Sequence, residues 1–197
     1  MKRICIYCGS KSGDHPAYRE AVEELGRQIV ERNMELVFGA GSIGLMGIVA
    51  DTVLNAGGTL IAGGTVIGVI PKFLSGREVM HQSMSETHIV ESMHERKALM
   101  EEMSDVFVAM PGGLGTFEEL FEILTWSQLG LHRKNVGILN VRGYFDPLLQ
   151  QIDHAIAEGF VKDDNRDLFV VSDDPKELLD LLEQHELPEV KQWKSDD

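Results

Sequence analysis

The stretch DVFVAMPGGLGTFEE, residues 105–119, runs from an apolar segment into three glycines within four residues, then into a pair of glutamates. A short apolar run bounded by turn residues reads as a strand buried on both faces. Glycines at its end give up side chains where the backbone must come close to something. A helix that starts there points its first N–H groups at whatever approaches, which favours an anion. The order strand, glycine loop, helix is the unit of a parallel sheet that takes its ligands at the carboxyl ends of its strands.

The rest of the chain repeats that unit. Strands are expected at RICIYC, MELVF, GTVIGVIP, THIV, DVFVAM, VGILN and LFVVS, and helices over 16–33, 43–56, 93–103, 117–129, 145–158 and 175–185. This alternation defines an α/β fold. It predicts a Rossmann-like, doubly wound, mainly parallel sheet with helices on both faces, in a single domain spanning 1–197. The tail from about 188 is polar and reads as frayed. AGGTLI and AGGTVI (56–61 and 62–67) are a tandem duplication, too short for a solenoid, that lengthens one helix-to-strand connection.

Of the 197 residues, 43% are hydrophobic and 25% charged, as in ordinary globular proteins, and the formal net charge is -14. That field repels nucleic-acid phosphates and anionic lipid, so neither a nucleic acid nor a membrane is expected as partner. No apolar run is long enough to span a bilayer, and the apolar part of MKRICIYCGS is too short for a signal peptide, which points to the cytoplasm. Cys5 and Cys8 form a C-x-x-C, but three positions apart on a strand they face opposite sides, and no second pair completes a zinc site. His81, His88, His94 and His132 lack metal-ligand spacing, and no metal is assigned.

Gly39, Gly41 and Gly44 match G-x-G-x-x-G between a strand and a helix, the dinucleotide fingerprint in its expected setting. The next strand ends in Pro71 and Lys72, with no acid to hold a ribose, which argues against a nicotinamide cofactor. What survives is a glycine loop able to admit an anion. With Ser10 and Ser42, these glycines are candidates for additional phosphate contacts. PGGLGT is a second such loop, and no Gly-Lys-Ser/Thr follows to make it a Walker loop. Its acids also fit a capping box, with Thr116 as N-cap and Glu119 at N3, and on spacing alone the cap is the favoured reading of Glu119. Ser92 and Glu95 fit another capping box. Arg96 and Lys97 then fall on or beside an apolar stripe of Met93, Met100 and Met103. Two readings stand side by side there: snorkelling stems, or a cationic pair facing a ligand.

Taken together, PGGLGTFEE, MHERK and GSIGLMG resemble the LONELY GUY (LOG) family of cytokinin riboside 5′-monophosphate phosphoribohydrolases. The likeness extends from YCGS through GLMG, GVIP and TWSQLG to NVRGYFDPLL. Relatives often carry the label lysine decarboxylase, yet no Schiff-base lysine is identifiable, and no cofactor is expected. The resemblance implies hydrolysis of the N-glycosidic bond of AMP or its N6-substituted forms, giving free base and ribose 5-phosphate. It implies Arg96 and Glu119 as the catalytic pair, and substrate contacts at Glu78, Lys97, Gly112, Gly113, Leu114, Gly115, Thr116, Phe117, Glu118 and Thr125. It also implies a homodimer or larger assembly, to which Leu124, Trp126 and Leu129 add apolar surface. One departure is Ala40, where the family usually has a third glycine. A non-catalytic nucleotide sensor with the same pocket remains an alternative, and the choice between adenine and an N6-prenylated adenine stays open.

Overall fold

The computed structural model describes residues 1–56, 63–75 and 80–189. Seven strands form one sheet: β1 (Arg3–Tyr7), β2 (Glu35–Phe38), β3 (Val66–Pro71), β4 (Glu86–Val90), β5 (Val106–Ala109), β6 (Asn135–Leu139) and β7 (Phe169–Ser172). Their order is β4-β3-β2-β1-β5-β6-β7, and every pairing is parallel. The chain winds outward from β1 to β4, then crosses back to lay β5 on the other side of β1. That reversal opens a crevice between the carboxyl ends of β1 and β5, where doubly wound proteins hold their ligands.

Burial explains which runs became strands. β3 and β5 are buried at every position, as a strand covered on both faces must be, whereas the edge strand β4 is largely open. The helices are α1 (Pro16–Glu31), α2 (Gly44–Asn55), α3 (Lys72–Ser75), α4 (Met93–Met103), α5 (Leu114–Gln128), α6 (Asp146–Ala157) and α7 (Pro175–Gln184). Side chains of α1, α2 and α7 form one core with the sheet, and those of α4, α5 and α6 form the other. Cys5 belongs to the second core and Cys8 to the first, so the pair straddles the sheet as its spacing requires, and both thiols are free.

Two expectations are corrected. Helix α5 begins at Leu114, three residues before the expected start, with Gly113 as its N-cap and no side chain capping it. Thr116 is therefore inside the first turn, and the Thr116/Glu119 capping box does not exist. Helix α3 was not anticipated, because four residues between strand and loop leave no periodic pattern. The Ser92 cap holds: its hydroxyl accepts from the Glu95 N–H at 3.1 Å, while the Glu95 carboxylate accepts from the Glu91 N–H at 2.9 Å. Of the duplication, Ala56 follows α2 and Val66 and Ile67 open β3, whereas residues 57–62 lie outside the described residues.

Candidate active site

Helix α4 packs against the sheet with Met100 fully buried, and this docking turns Arg96 and Lys97 towards α5. Arg96 Nη2 donates to Glu119 Oε1 at 3.1 Å, and the two side chains are only 12% and 11% exposed. Lys97 Nζ donates to Glu118 and, at 2.9 Å, to Glu122. Neither cation snorkels to solvent.

Burial raises the Glu119 carboxyl from its ordinary 4.5 to about 7; Arg96 opposes the shift without cancelling it. Arg96 itself is under-satisfied, since its Nε is buried without a hydrogen-bond partner among the described residues. A buried donor left open is rare in native proteins and calls for an explanation such as an absent ligand.

A cavity of about 250 Å³ opens above this pair. Its floor holds Arg96 and Glu119, and one wall is the start of α5, from Gly113 through Thr116 with Glu118. The opposite wall is Cys8, Gly9 and Ser10 after β1, with Met46 and Met93 closing the sides. Cys8, Gly9, Met46 and Met93 were not among the expected site residues. A larger hollow of about 410 Å³ adjoins it across Gly9, Ser10 and Gly113, reaching Gly112 and the rings of Tyr18 and Tyr144.

The glycines divide into two kinds. A Cβ on Gly113 or Gly115 would meet no atom within 4 Å, so protein packing gives no reason for glycine there; the space in front of them is open. A Cβ on Gly39 would sit 1.9 Å from Arg96 Nη2. Gly41 yields its space to Met46, and Gly44, at φ +62, lies against the Ser10–Lys11 backbone. The G-x-G-x-x-G stretch thus serves the packing of the site, with Gly39 as the bed on which the Arg96 guanidinium rests. Ala40 between them holds a left-handed φ of 60 and is fully buried. It is fixed there by the His81 N–H, which donates to the Ala40 carbonyl at 2.9 Å.

Other expected residues lie elsewhere. Ser42 lines a different cavity with Asp51 and His81. Phe117 stacks on Tyr144 with centroids 6.3 Å apart and belongs to the packing behind the loop. Thr125 donates to the Phe121 carbonyl and lines a fourth cavity, with Ile152 of α6. Glu78 lies outside the described residues.

A doubly wound parallel sheet, with an uncapped glycine-led helix and a buried Arg–Glu pair at its switch point, defines a Rossmann-like α/β protein with its site between β1 and β5. Residues 46–182 match the family model described as "Possible lysine decarboxylase". The chain is 49% identical, over 94% of its length and 83% of the relative's, to the cytokinin riboside 5′-monophosphate phosphoribohydrolase LOG7 of Arabidopsis thaliana. It is 50% identical to the probable cytokinin riboside 5′-monophosphate phosphoribohydrolase LOGL9 of Oryza sativa subsp. japonica, over 94% of this chain and 79% of that one. The chain belongs to the LOG family. Among solved structures, the molybdenum cofactor carrier protein of Chlamydomonas reinhardtii superposes with a TM-score of 0.67 at 22% identity, covering 93% of this chain and 96% of that one. The molybdenum cofactor binding protein of Rippkaea orientalis does so with 0.66 at 18%, covering 93% and 97%. At that identity the likeness shows the fold alone.

Proposed function

We propose that this chain hydrolyses the N-glycosidic bond of AMP and of N6-substituted adenosine 5′-monophosphates, releasing the free base and ribose 5-phosphate. The buried Arg96–Glu119 pair, at the floor of a cavity walled by the start of α5, carries the reading. The nucleotide phosphate takes the free N–H groups at the α5 N-terminus, which has no acid in its first turn, and Gly113 and Gly115 leave it room. That places the ribose over Glu119.

The C1′–N9 bond breaks with its electron pair leaving on the base nitrogen, which takes up a proton. Positive charge develops on the sugar, and the ionised Glu119 stabilises it; water then adds at C1′ and loses its proton. Arg96 holds the carboxylate in place and keeps its open Nε for the substrate. The curated relatives are named for the same reaction class, which supports the reading.

The working unit in this proposal is a homodimer in the cytoplasm. Leu114, Phe121, Leu129 and Leu131 expose 86%, 44%, 50% and 68% of their surfaces along and just after α5. Leu124 is buried, so the apolar surface for a partner comes from these residues instead. The two unpaired, buried cysteines fit a reducing compartment.

The test is an assay of purified protein against AMP and isopentenyladenosine monophosphate, following ribose 5-phosphate, with light scattering on the same sample. Binding without turnover of either nucleotide would return the protein to the sensor class, and a monomeric mass would refute the dimer.

A further inference from the structure

Glu119 is flanked on its own helix by Glu118 and Glu122, and both of these carboxylates are drawn to one ammonium. Lys97 sits directly after Arg96 on α4, its side chain only 8% exposed, and pairs with both. Arg96, Glu118 and Glu119 line the cavity, whereas Lys97 and Glu122 do not. Two cations therefore face three carboxylates: Arg96 pairs with Glu119 under the cavity, and Lys97, behind it, pairs with Glu122 and with the cavity-lining Glu118.

We propose that Lys97 is a positioning residue: by clamping Glu118 and Glu122 to α4, it holds α5 in register with Arg96 and screens Glu119 from its two acidic neighbours. The inference rests on the proposed role of Glu119 and adds to it.

With all three carboxylates ionised, the cluster is one positive charge short. In the free protein burial favours a proton on Glu119, which makes up that charge below about pH 7; during hydrolysis the sugar cation does so. The described groups that act on or with Glu119 come from three elements: Arg96 and Lys97 from α4, Glu118 and Glu122 from α5, and Cys5, Tyr7 and Cys8 from β1 or just after it. The β1 groups stay neutral, because burial pushes the thiols and the phenol well up. Burial pulls the Lys97 ammonium down, but its bonds to Glu118 and Glu122 outweigh that and hold it above the ordinary lysine value. It stays charged throughout.

The experiment follows the carboxyl ¹³C resonance of Glu119 in the free protein, assigned with Glu119→Gln, so that its midpoint is read without any turnover. The wild-type midpoint should lie near 7. Lys97→Met, which removes a cation and frees two acids, should raise it by about one pH unit, while Lys97→Arg should keep it. Glu122→Gln removes one acid and should move it the other way, by about half a unit. The acidic limb of kcat/KM for AMP should follow the same shifts.

Unmoved midpoints in Lys97→Met and Glu122→Gln would overturn the proposal. So would an unmoved Lys97→Met midpoint joined to a tenfold or larger rise in KM, the mark of a lost substrate contact. If Lys97→Met does not fold, Lys97→Gln, which removes the same charge and keeps a donor for the two acids, decides in its place: its midpoint should rise, and an unmoved one would overturn the proposal. A wild-type protein that fails to hydrolyse AMP refutes the hydrolase reading and leaves these midpoints standing.

Discussion

Replacing Glu119 by glutamine should make the protein more stable and almost inactive. Burial holds the carboxyl at about 7 against an ordinary 4.5, so the native state binds more protons than the unfolded chain between those values. Stability therefore falls as pH rises through that window. The gap is roughly 2.5 pH units, and at 1.36 kcal/mol per unit the ionised carboxylate costs the fold about 3 kcal/mol once pH is well above 7. Glutamine keeps the shape and never ionises. The variant should match the wild type near pH 4.5 and exceed it by about 3 kcal/mol near pH 8.5, which for a chain of this size is a melting point higher by roughly 6–12 °C. Hydrolysis of AMP should fall by about 10²-fold or more, the scale of losing one electrostatic stabiliser, while calorimetric binding of AMP survives. Thermal unfolding of both proteins at the two pH values, with turnover on the same preparations, decides the matter. A melting difference that does not change with pH would refute the cost assigned to the buried charge. Near-normal turnover in the glutamine variant would refute its role in the chemistry.

Gly39→Ala places a Cβ 1.9 Å from Arg96 Nη2, so the guanidinium must leave Glu119. The expected result is a loss of kcat of about 10²-fold with unchanged far-ultraviolet circular dichroism, and normal kcat would refute the contact. Gly115→Ala meets nothing in the protein, so its melting point should stay within about 2 °C of wild type while KM for AMP rises about tenfold as the methyl intrudes on the phosphate. An unchanged KM would mean the nucleotide does not approach this residue. Deleting Ala56 to Ile61 removes one copy of the duplication. Loop length enters stability only logarithmically, at about 0.6 kcal/mol per doubling, so steady-state hydrolysis by the folded deletion variant should stay within a few-fold of wild type.

The seven strands were readable because a parallel sheet buried on both faces writes itself as short apolar runs between amphipathic segments. The start of α5 was misplaced because three glycines in four residues read as loop, whereas Leu114 and Gly115 already turn with the helix. That early start removes the competing explanation for Glu119, so the acid's ambiguity was a matter of a helix boundary. Arg96 was visible as a candidate, but its bed on Gly39 was not. That contact joins the end of β2 to α4, and G-x-G-x-x-G spacing looks the same whether a ligand or an arginine fills the space. The division of labour between Arg96 and Lys97 was equally hidden, since adjacent cations on one helix differ only in which acid α5 presents to each. Ala40 was noticed as a missing glycine; its left-handed φ shows a strain of about 1–2 kcal/mol that the sequence did not express.

Gly39, Arg96 and Glu119 meet from three elements that lie far apart along the chain, and they do so across the point where the sheet reverses direction. Neither half of the fold holds the constellation. The strands from β1 to β4 bring Gly39 and Arg96 together, and only the docking of β5 and α5 adds the acid. Loop closure over such separations is slow compared with forming any single helix. A refolding chain should regain its helical signal well before its first turnover, and a truncated or partly unfolded chain has no fraction of an active site to retain. With Arg96 and Glu119 in the roles proposed for them, catalysis is a readout of complete assembly, and a more demanding one than any spectroscopic measure of secondary structure.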